Sequence, residues 1–255
     1  MRASVAIANL VLGSVYTCYG VLTIIDLKRG WRSLGLSHFG LAWIAMAFTC
    51  GPHHLEHGLH VAAAGRMGGP VDLFAVLVGV PAGATWFLLR VEALRGGRGD
   101  RFISGTPLWV KAIPAASAVY LGILAAAVLA VLRDSAHFGP RLTPNLLLLG
   151  VYGLIGYYLI RTQLANRPVV GGWSVSGLAL SVVFPTCGLM HAVFAVYATS
   201  GRYDADWHGL IIDWLAVPAA IYFVWVVRSL YLGAISDWNT GAEGARPHAG
   251  SLAVA

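Results

Sequence analysis

Charge is scarce in this chain. Of 255 residues, 17 are Lys or Arg and 11 are Asp or Glu, 11% in all. A soluble globular domain carries about 25%, so a soluble fold is excluded. Cysteine is rarer still. The three that exist all sit in apolar segments, too few for a disulfide framework and so no stapled secreted scaffold. The net charge of +6 does not mark a nucleic-acid partner, because the basic residues lie between hydrophobic runs, as the positive-inside rule places them.

What the chain has instead is apolar length. It is 58% hydrophobic, with a mean hydropathy of +0.72. These values predict an all-α polytopic membrane protein, with membrane lipids as its surroundings. Seven spans of about 20 residues fit the length. They fall at about 4–26, 38–63, 71–94, 107–132, 143–163, 172–199 and 205–234 by apolar periodicity. The 31 glycines and 11 prolines suit membrane helices, which tolerate both. The first apolar segment has no long basic leader and no A-x-A-type cleavage site, so it is expected to stay as a helix. Lys28, Arg29, Arg32, Arg90, Arg95, Arg98, Arg101, Lys111, Arg161, Arg167, Arg228 and Arg246 fall on one side. Arg2, Arg66, Arg133, Arg141 and Arg202 fall on the other. The N-terminus is therefore expected outside and the C-terminus in the cytoplasm. A seven-helix domain over 1–235 and a disordered tail over 236–255 complete the expected organisation.

One motif occurs twice. Residues 49–54 read Thr-Cys-Gly-Pro-His-His and residues 186–191 read Thr-Cys-Gly-Leu-Met-His. Each copy places a Cys and a His four apart, on one helix face. The match extends further. Asn9, Tyr16 and Gly20 recur as Asn145, Tyr152 and Gly156. Gly40-Leu41-Ala42 recurs as Gly177-Leu178-Ala179, Gly65-Arg66 as Gly201-Arg202, Val80-Pro81-Ala82 as Val217-Pro218-Ala219, and Arg90 as Arg228. Helices 1–3 thus repeat as helices 5–7 around a linking fourth helix. An odd linker gives both halves one orientation. The expected arrangement is 3+1+3, a parallel internal repeat with a pseudo-two-fold axis along the membrane normal, which resembles the parallel repeats of SWEET transporters in architecture.

Sites at equivalent positions can meet on such an axis. Cys50, His54, Cys187 and His191 would then form a soft set of two sulfurs and two nitrogens, although a Cys beside a Gly is equally a packing residue. Helix 2 adds His53, His57 and His60 at i, i+4, i+7. Pro52 should kink it, and Pro185 sits near the equivalent place on helix 6. Asp72 opens helix 3, where it can also serve as an N-cap. Asp204, Asp206 and His208 open helix 7, with Asp213 a turn deeper. All lie on the expected outer side. Ionisable groups inside a membrane are costly and mark function.

The candidate metal ligands are therefore His53, His54, His57, His191, His208, Cys50 and Cys187, with zinc first and iron or copper next. Glu56, Asp72 and Asp213 are candidate general bases or orienting partners. The expected function is a metal-dependent membrane hydrolase or oxidoreductase acting on a lipidic or apolar small molecule. Two alternatives stand beside it. One is a haem- or copper-binding redox protein, with His54 and His191 as the axial pair. The other is a soft-metal transporter or sensor. Transport is disfavoured because helices 3 and 7 carry no ionisable group along their inner halves until a terminal Arg. A retinal protein would need a Schiff-base lysine on helix 7, and none is there.

Thr49-x₃-His53 and Asp72 resemble two elements of the adiponectin-receptor and alkaline-ceramidase superfamily. Those seven-helix zinc hydrolases use a Ser-x₃-His on helix 2, an Asp on helix 3 and an HxxxH on helix 7. The third element departs here: Ile212 stands four residues after His208, and His191 would have to substitute. His53, His54, His57 and His60 also look like one histidine box of the di-iron membrane desaturases, without a second.

Overall fold

The computed structural model describes residues 1–64, 69–133, 135–200 and 207–238, with 64, 135–141 and 207–210 described by backbone alone. Among these residues the chain is helical apart from one two-residue strand pair. The helices are α1 (Arg2–Leu34), α2 (His38–Ala64), α3 (Pro70–Leu94), α4 (Leu108–Lys111), α5 (Ile113–Arg133), α6 (Ser135–Val170), α7 (Val175–Thr199) and α8 (Trp207–Tyr231). All but α4, a single turn, run 21 residues or more. Six of them, α1, α3, α5, α6, α7 and α8, are long and apolar enough to cross a membrane. The chain is thus built as a polytopic membrane protein. The expected second span, α2, is as long as the others but is not among the six. Its second half carries His53, His54, Glu56, His57 and His60, which lower its hydropathy.

Several boundaries differ from expectation, among them the start of α6 at Ser135 instead of 143. Helix α1 runs on through Asp26–Leu34, past Gly30, and α6 runs through to Val170, past Pro168. The expected fourth helix is broken at Ala112 into α4 and α5. Pro114 lies just inside α5, where its missing N–H costs least.

The pairing of helices is the same in both trios. Helix α1 packs on α2 and α3, and α6 packs on α7 and α8. Across the middle, α3 meets α7 and α2 meets α8. Helix α7 is the most buried of the spans, while α5 is mostly outward-facing and leans on α6 and α7. Close approach is set by glycine. A Cβ on Gly20 would meet Ala47 Cβ at 2.9 Å, and one on the equivalent Gly156 would meet Pro185 Cδ at 3.0 Å. The starts of α2 and α7 are capped alike: Gly40 N donates to Ser37 Oγ at 2.8 Å, and Gly177 N to Ser174 Oγ at 2.9 Å. Each serine satisfies an amide that the helix leaves without a partner.

At that end of the bundle, β1 (Phe102–Ile103) pairs antiparallel with β2 (Trp173–Ser174), in register Phe102 to Ser174. Asp100 accepts from Ser174 Oγ and Ser176 N at 2.6 and 2.9 Å. The start of the expected tail is docked: Asp237 Oδ2 accepts from Phe39 N at 2.8 Å, and Trp238 Nε1 donates to Gly35 O at 3.1 Å. The rest of the tail lies outside the described residues, as do Arg66, Asp204, Asp206, Arg202 and the side chains of Arg141 and His208.

A layer of rings fills the core between this end and the histidines. Trp86 packs edge-on to Tyr19 and Trp43, with centroids 4.3 and 4.2 Å apart, and Phe184 lies 4.9 Å from Phe223. Such contacts add to the burial of large rings.

Candidate metal centre

Histidines of α2 and α7 converge with Asp213 of α8. One ligand atom from each of His53, His191 and Asp213 lies within 4.8 Å of the other two, and all three side chains are buried. His53 Nδ1 stands 3.0 Å from Asp213 Oδ1, and His191 Nδ1 stands 3.9 Å from the same oxygen. The His53 and His191 rings are 4.8 Å apart. The 3.0 Å contact is short enough for an ion pair.

Two asparagines fix the imidazoles. Asn145 Nδ2 donates to Asp213 Oδ2 at 2.9 Å, so its Oδ1 is the atom that accepts from His191 Nδ1 at 2.7 Å. Asn9 Nδ2 donates to Val5 O at 3.0 Å, so its Oδ1 accepts from His54 Nδ1 at 2.8 Å. An amide has one acceptor and one donor end. Each network therefore places the proton on Nδ1 and leaves the Nε2 lone pair open. That is how metal-binding imidazoles are held.

His54 Nε2 points at Cys187 Sγ, 3.5 Å away. Cys187 also meets Tyr16 Oη at 3.6 Å, and Cys50 meets Tyr152 Oη at 3.0 Å. The contacts cross, since each tyrosine belongs to one trio and its thiol to the other. The Tyr16 ring lies 5.6 Å from His54, and the Tyr152 ring 5.5 Å from His191.

The remaining candidates separate. His57 is buried with its ring parallel to that of His53 at 6.4 Å. Glu56 is half-buried on the same turn, and His60 is half-buried near the helix end. Asp72 is buried, but its Oδ2 accepts from Gly69 N at 3.1 Å and closes the first turn of α3. Thr49, the residue in the zinc-hydrolase resemblance, spends its hydroxyl on Ala45 O and Met46 O of its own helix at 3.0 and 3.1 Å.

Sequence reasoning treated Asn9, Asn145, Tyr16 and Tyr152 as repeat markers. Their recurrence together with the Cys-x₃-His was the available signal for a role. It missed a second feature altogether. Arg90, 8% exposed, pairs with Asp26 of α1, 23% exposed, behind the Tyr19 and Trp43 rings. Comparison of the chain with protein-family models, curated proteins and solved structures finds no match.

Proposed function

We propose that the chain is an integral membrane metalloprotein whose centre is His53, His191 and Asp213. The observation that carries this reading is the convergence of two imidazoles and a carboxylate from three helices in an apolar interior. Buried ionisable groups of this kind are retained for function. The spacing suits an ion. Nitrogen and oxygen ligands each about 2.1 Å from one cation stand about 3–3.5 Å apart, and the 3.0 Å between His53 Nδ1 and Asp213 Oδ1 falls in that range.

Two histidines and one carboxylate are the donors of zinc hydrolases and of non-haem iron oxygenases. Zinc is the first choice and iron the next. Such a metal, when bound, supplies Lewis acidity and an activated water or oxygen at its open positions. The chain's own residues do the rest. Asn145 holds the His191 tautomer and ties it to Asp213. Glu56, four residues before His60 and three after His53, is the general base in this proposal. A substrate reaching this depth is lipidic or apolar, which makes a metal-dependent membrane enzyme the preferred function. The haem reading is less well supported, because His54 Nε2 rests against Cys187 where a macrocycle would have to lie.

In the same proposal the architecture is seven spans in a 3+1+3 parallel repeat, with α5 as linker, N-terminus outside and the metal in the outer half of the bilayer. The matched asparagine, tyrosine and serine-cap contacts support it. The test is elemental analysis of protein purified without a histidine tag. Near-stoichiometric zinc or iron is expected, lost in His191→Ala and kept in His60→Ala. Metal-free protein after purification and reconstitution, or full content in His191→Ala, would overturn it. Impermeant maleimide labelling of single cysteines placed at Ser33 and Ser200 tests the orientation, with labelling from outside expected only at Ser200.

A further inference from the structure

A file of rings runs through the core to the histidines from the end where the tail docks. We propose that Trp43 is a redox-active tryptophan that passes electrons, one at a time, to the metal centre. Tyr19 and Trp86 feed it from a one-electron donor at the tail end. This role rests on the centre proposed above and selects its iron form.

The distances draw the route. Ring centroids lie 4.3 Å apart for Tyr19 and Trp86, 4.2 Å for Trp86 and Trp43, and 5.1 Å for Tyr19 and Trp43. Beyond Trp43 the steps are 6.1 Å to Tyr16, 5.6 Å from Tyr16 to His54, and 6.1 Å from His54 to His53. Electron tunnelling weakens exponentially with distance, so a series of short ring-to-ring steps carries charge where one long step does not. Tyr19 and Trp43 also line a cavity with Asp26 and Arg90, and Asp26 keeps 23% of its surface. The file therefore starts near solvent and ends at a proposed ligand.

The repeat supplies an internal control. At the places equivalent to Tyr19, Trp43 and Trp86 the second trio has Ile155, Leu180 and Phe223, all buried. Aliphatic side chains and phenylalanine thus fill this layer of the fold. The first trio holds instead three rings that can lose an electron, in mutual contact.

The surroundings of Trp43 suit reversible oxidation. Its ring is buried and its Nε1 has no hydrogen-bond partner. No neighbour takes the indole proton, so the electron leaves alone and a radical cation remains. Five rings pack around it, those of Tyr16, Tyr19, Trp86, Phe184 and Phe223. Ring faces attract a cation, and the Asp26 carboxylate lines the same cavity. With ferrous iron in the centre and hydrogen peroxide as oxidant, the peroxide takes one electron from the ion and one from Trp43. With two protons from solvent, the products are two waters, a ferric ion and the Trp43 radical cation. Ascorbate, as one-electron donor, then restores the ring.

Two measurements on full-length protein test this. In the first, protein loaded with ferrous iron is mixed with peroxide and frozen for electron paramagnetic resonance. A tryptophanyl signal is expected, narrowed by deuterated tryptophan and discharged by ascorbate. It should persist in Trp86→Phe and vanish in Trp43→Phe, which keeps its iron. Oxidation of bound iron with no radical, or with a signal that deuterated tryptophan leaves unchanged, overturns the role from unsubstituted protein alone. The same signal in Trp43→Phe also overturns it. In the second, Leu36→Cys carries a ruthenium photo-oxidant beside Ser37, which lines the cavity. Cys18→Ser removes the exposed thiol, and Trp31→Phe and Trp238→Phe remove the indoles of the two residues bonded to Gly35. A flash on metal-free protein should give the Trp43 signal, lost again in Trp43→Phe. Protein that binds no iron fails the metal reading, and the flash then still decides whether Trp43 gives up an electron. Iron binding without a Trp43 signal in either measurement fails the relay alone.

Discussion

The trios α1–α3 and α6–α8 differ most where their chemistry lies. At equivalent places both hold an asparagine whose Oδ1 accepts from a histidine Nδ1, at 2.8 Å in one and 2.7 Å in the other. Both hold a tyrosine against a thiol of the opposite trio. Around this common frame each trio has one ionisable pairing the other lacks. In the second trio, Asp213 stands where the first has Val76, and it recruits His53, whose own equivalent is Met190. In the first trio, Asp26 stands where the second has Thr162, and it pairs with a buried Arg90, whereas the equivalent Arg228 is exposed. The shared residues hold imidazoles in position. The unshared carboxylates make the two regions electrostatically different.

The sharpest way to break this comparison is to remove the carboxylate that the first trio lacks. Asp213→Asn keeps the shape and the contact with Asn145 while removing the negative charge. Metal affinity at the His53–His191 centre should fall more than about 100-fold, beyond what loss of an orienting partner alone costs. Elemental analysis after dialysis against a chelator checks this. Retained metal would mean that Asp213 is only a structural partner of His53.

The other unshared pair predicts a stability effect. Arg90→Ala leaves Asp26 without its cation in a mostly buried place. Removing one partner of a buried pair costs about 3–5 kcal/mol. The lower end applies because Asp26 keeps 23% of its surface. Arg228→Ala should change stability by less than about 0.5 kcal/mol. Melting of the two variants in one detergent compares them directly, and equal shifts would remove the asymmetry.

Much of this was legible in the sequence, though unevenly. Hydropathy and the constant offset of the repeat outlined the helices and paired Cys50–His54 with Cys187–His191. Membrane cost singled out His53, His57 and Asp213. Periodicity alone could not say that His53 turns to α8 while its neighbour His54 turns to α7, since the two differ by about 100° on the helix. The Asp26–Arg90 pair was hidden for a related reason. Asp26 precedes Lys28 and Arg29 and reads as the end of a span, but α1 continues past it and carries it against α3. The asparagines were visible only as matches, because their role depends on which amide end faces the ring.

Those asparagines give the third contrast. Asn145→Leu frees His191 and also removes a partner of Asp213, so zinc or iron affinity should drop about 10–100-fold. Asn9→Leu removes the partner of His54, which is not one of the three proposed ligands, and should leave that metal content unchanged. Titrating both variants with zinc and with ferrous iron yields four affinities. A uniform loss in all four would show that the asparagines act through packing of the core.

The smallest expected difference concerns the crossed tyrosines. Interhelical hydrogen bonds inside membrane proteins average about 0.6 kcal/mol. Tyr152 Oη approaches Cys50 Sγ to 3.0 Å, whereas Tyr16 Oη stands 3.6 Å from Cys187 Sγ, which also faces His54. Tyr152→Phe should therefore cost close to that average, about 0.6 kcal/mol, and Tyr16→Phe less, since Cys187 keeps a second polar neighbour. Melting temperature reads the size of each effect, and the infrared S–H stretch reads its origin. Loss of the Tyr152 hydroxyl should shift the Cys50 band toward that of an unbonded thiol, while the Cys187 band stays displaced by His54. If both bands move alike, His54 Nε2 is not the partner of Cys187. The resemblance between the two trios would then extend to the thiols themselves.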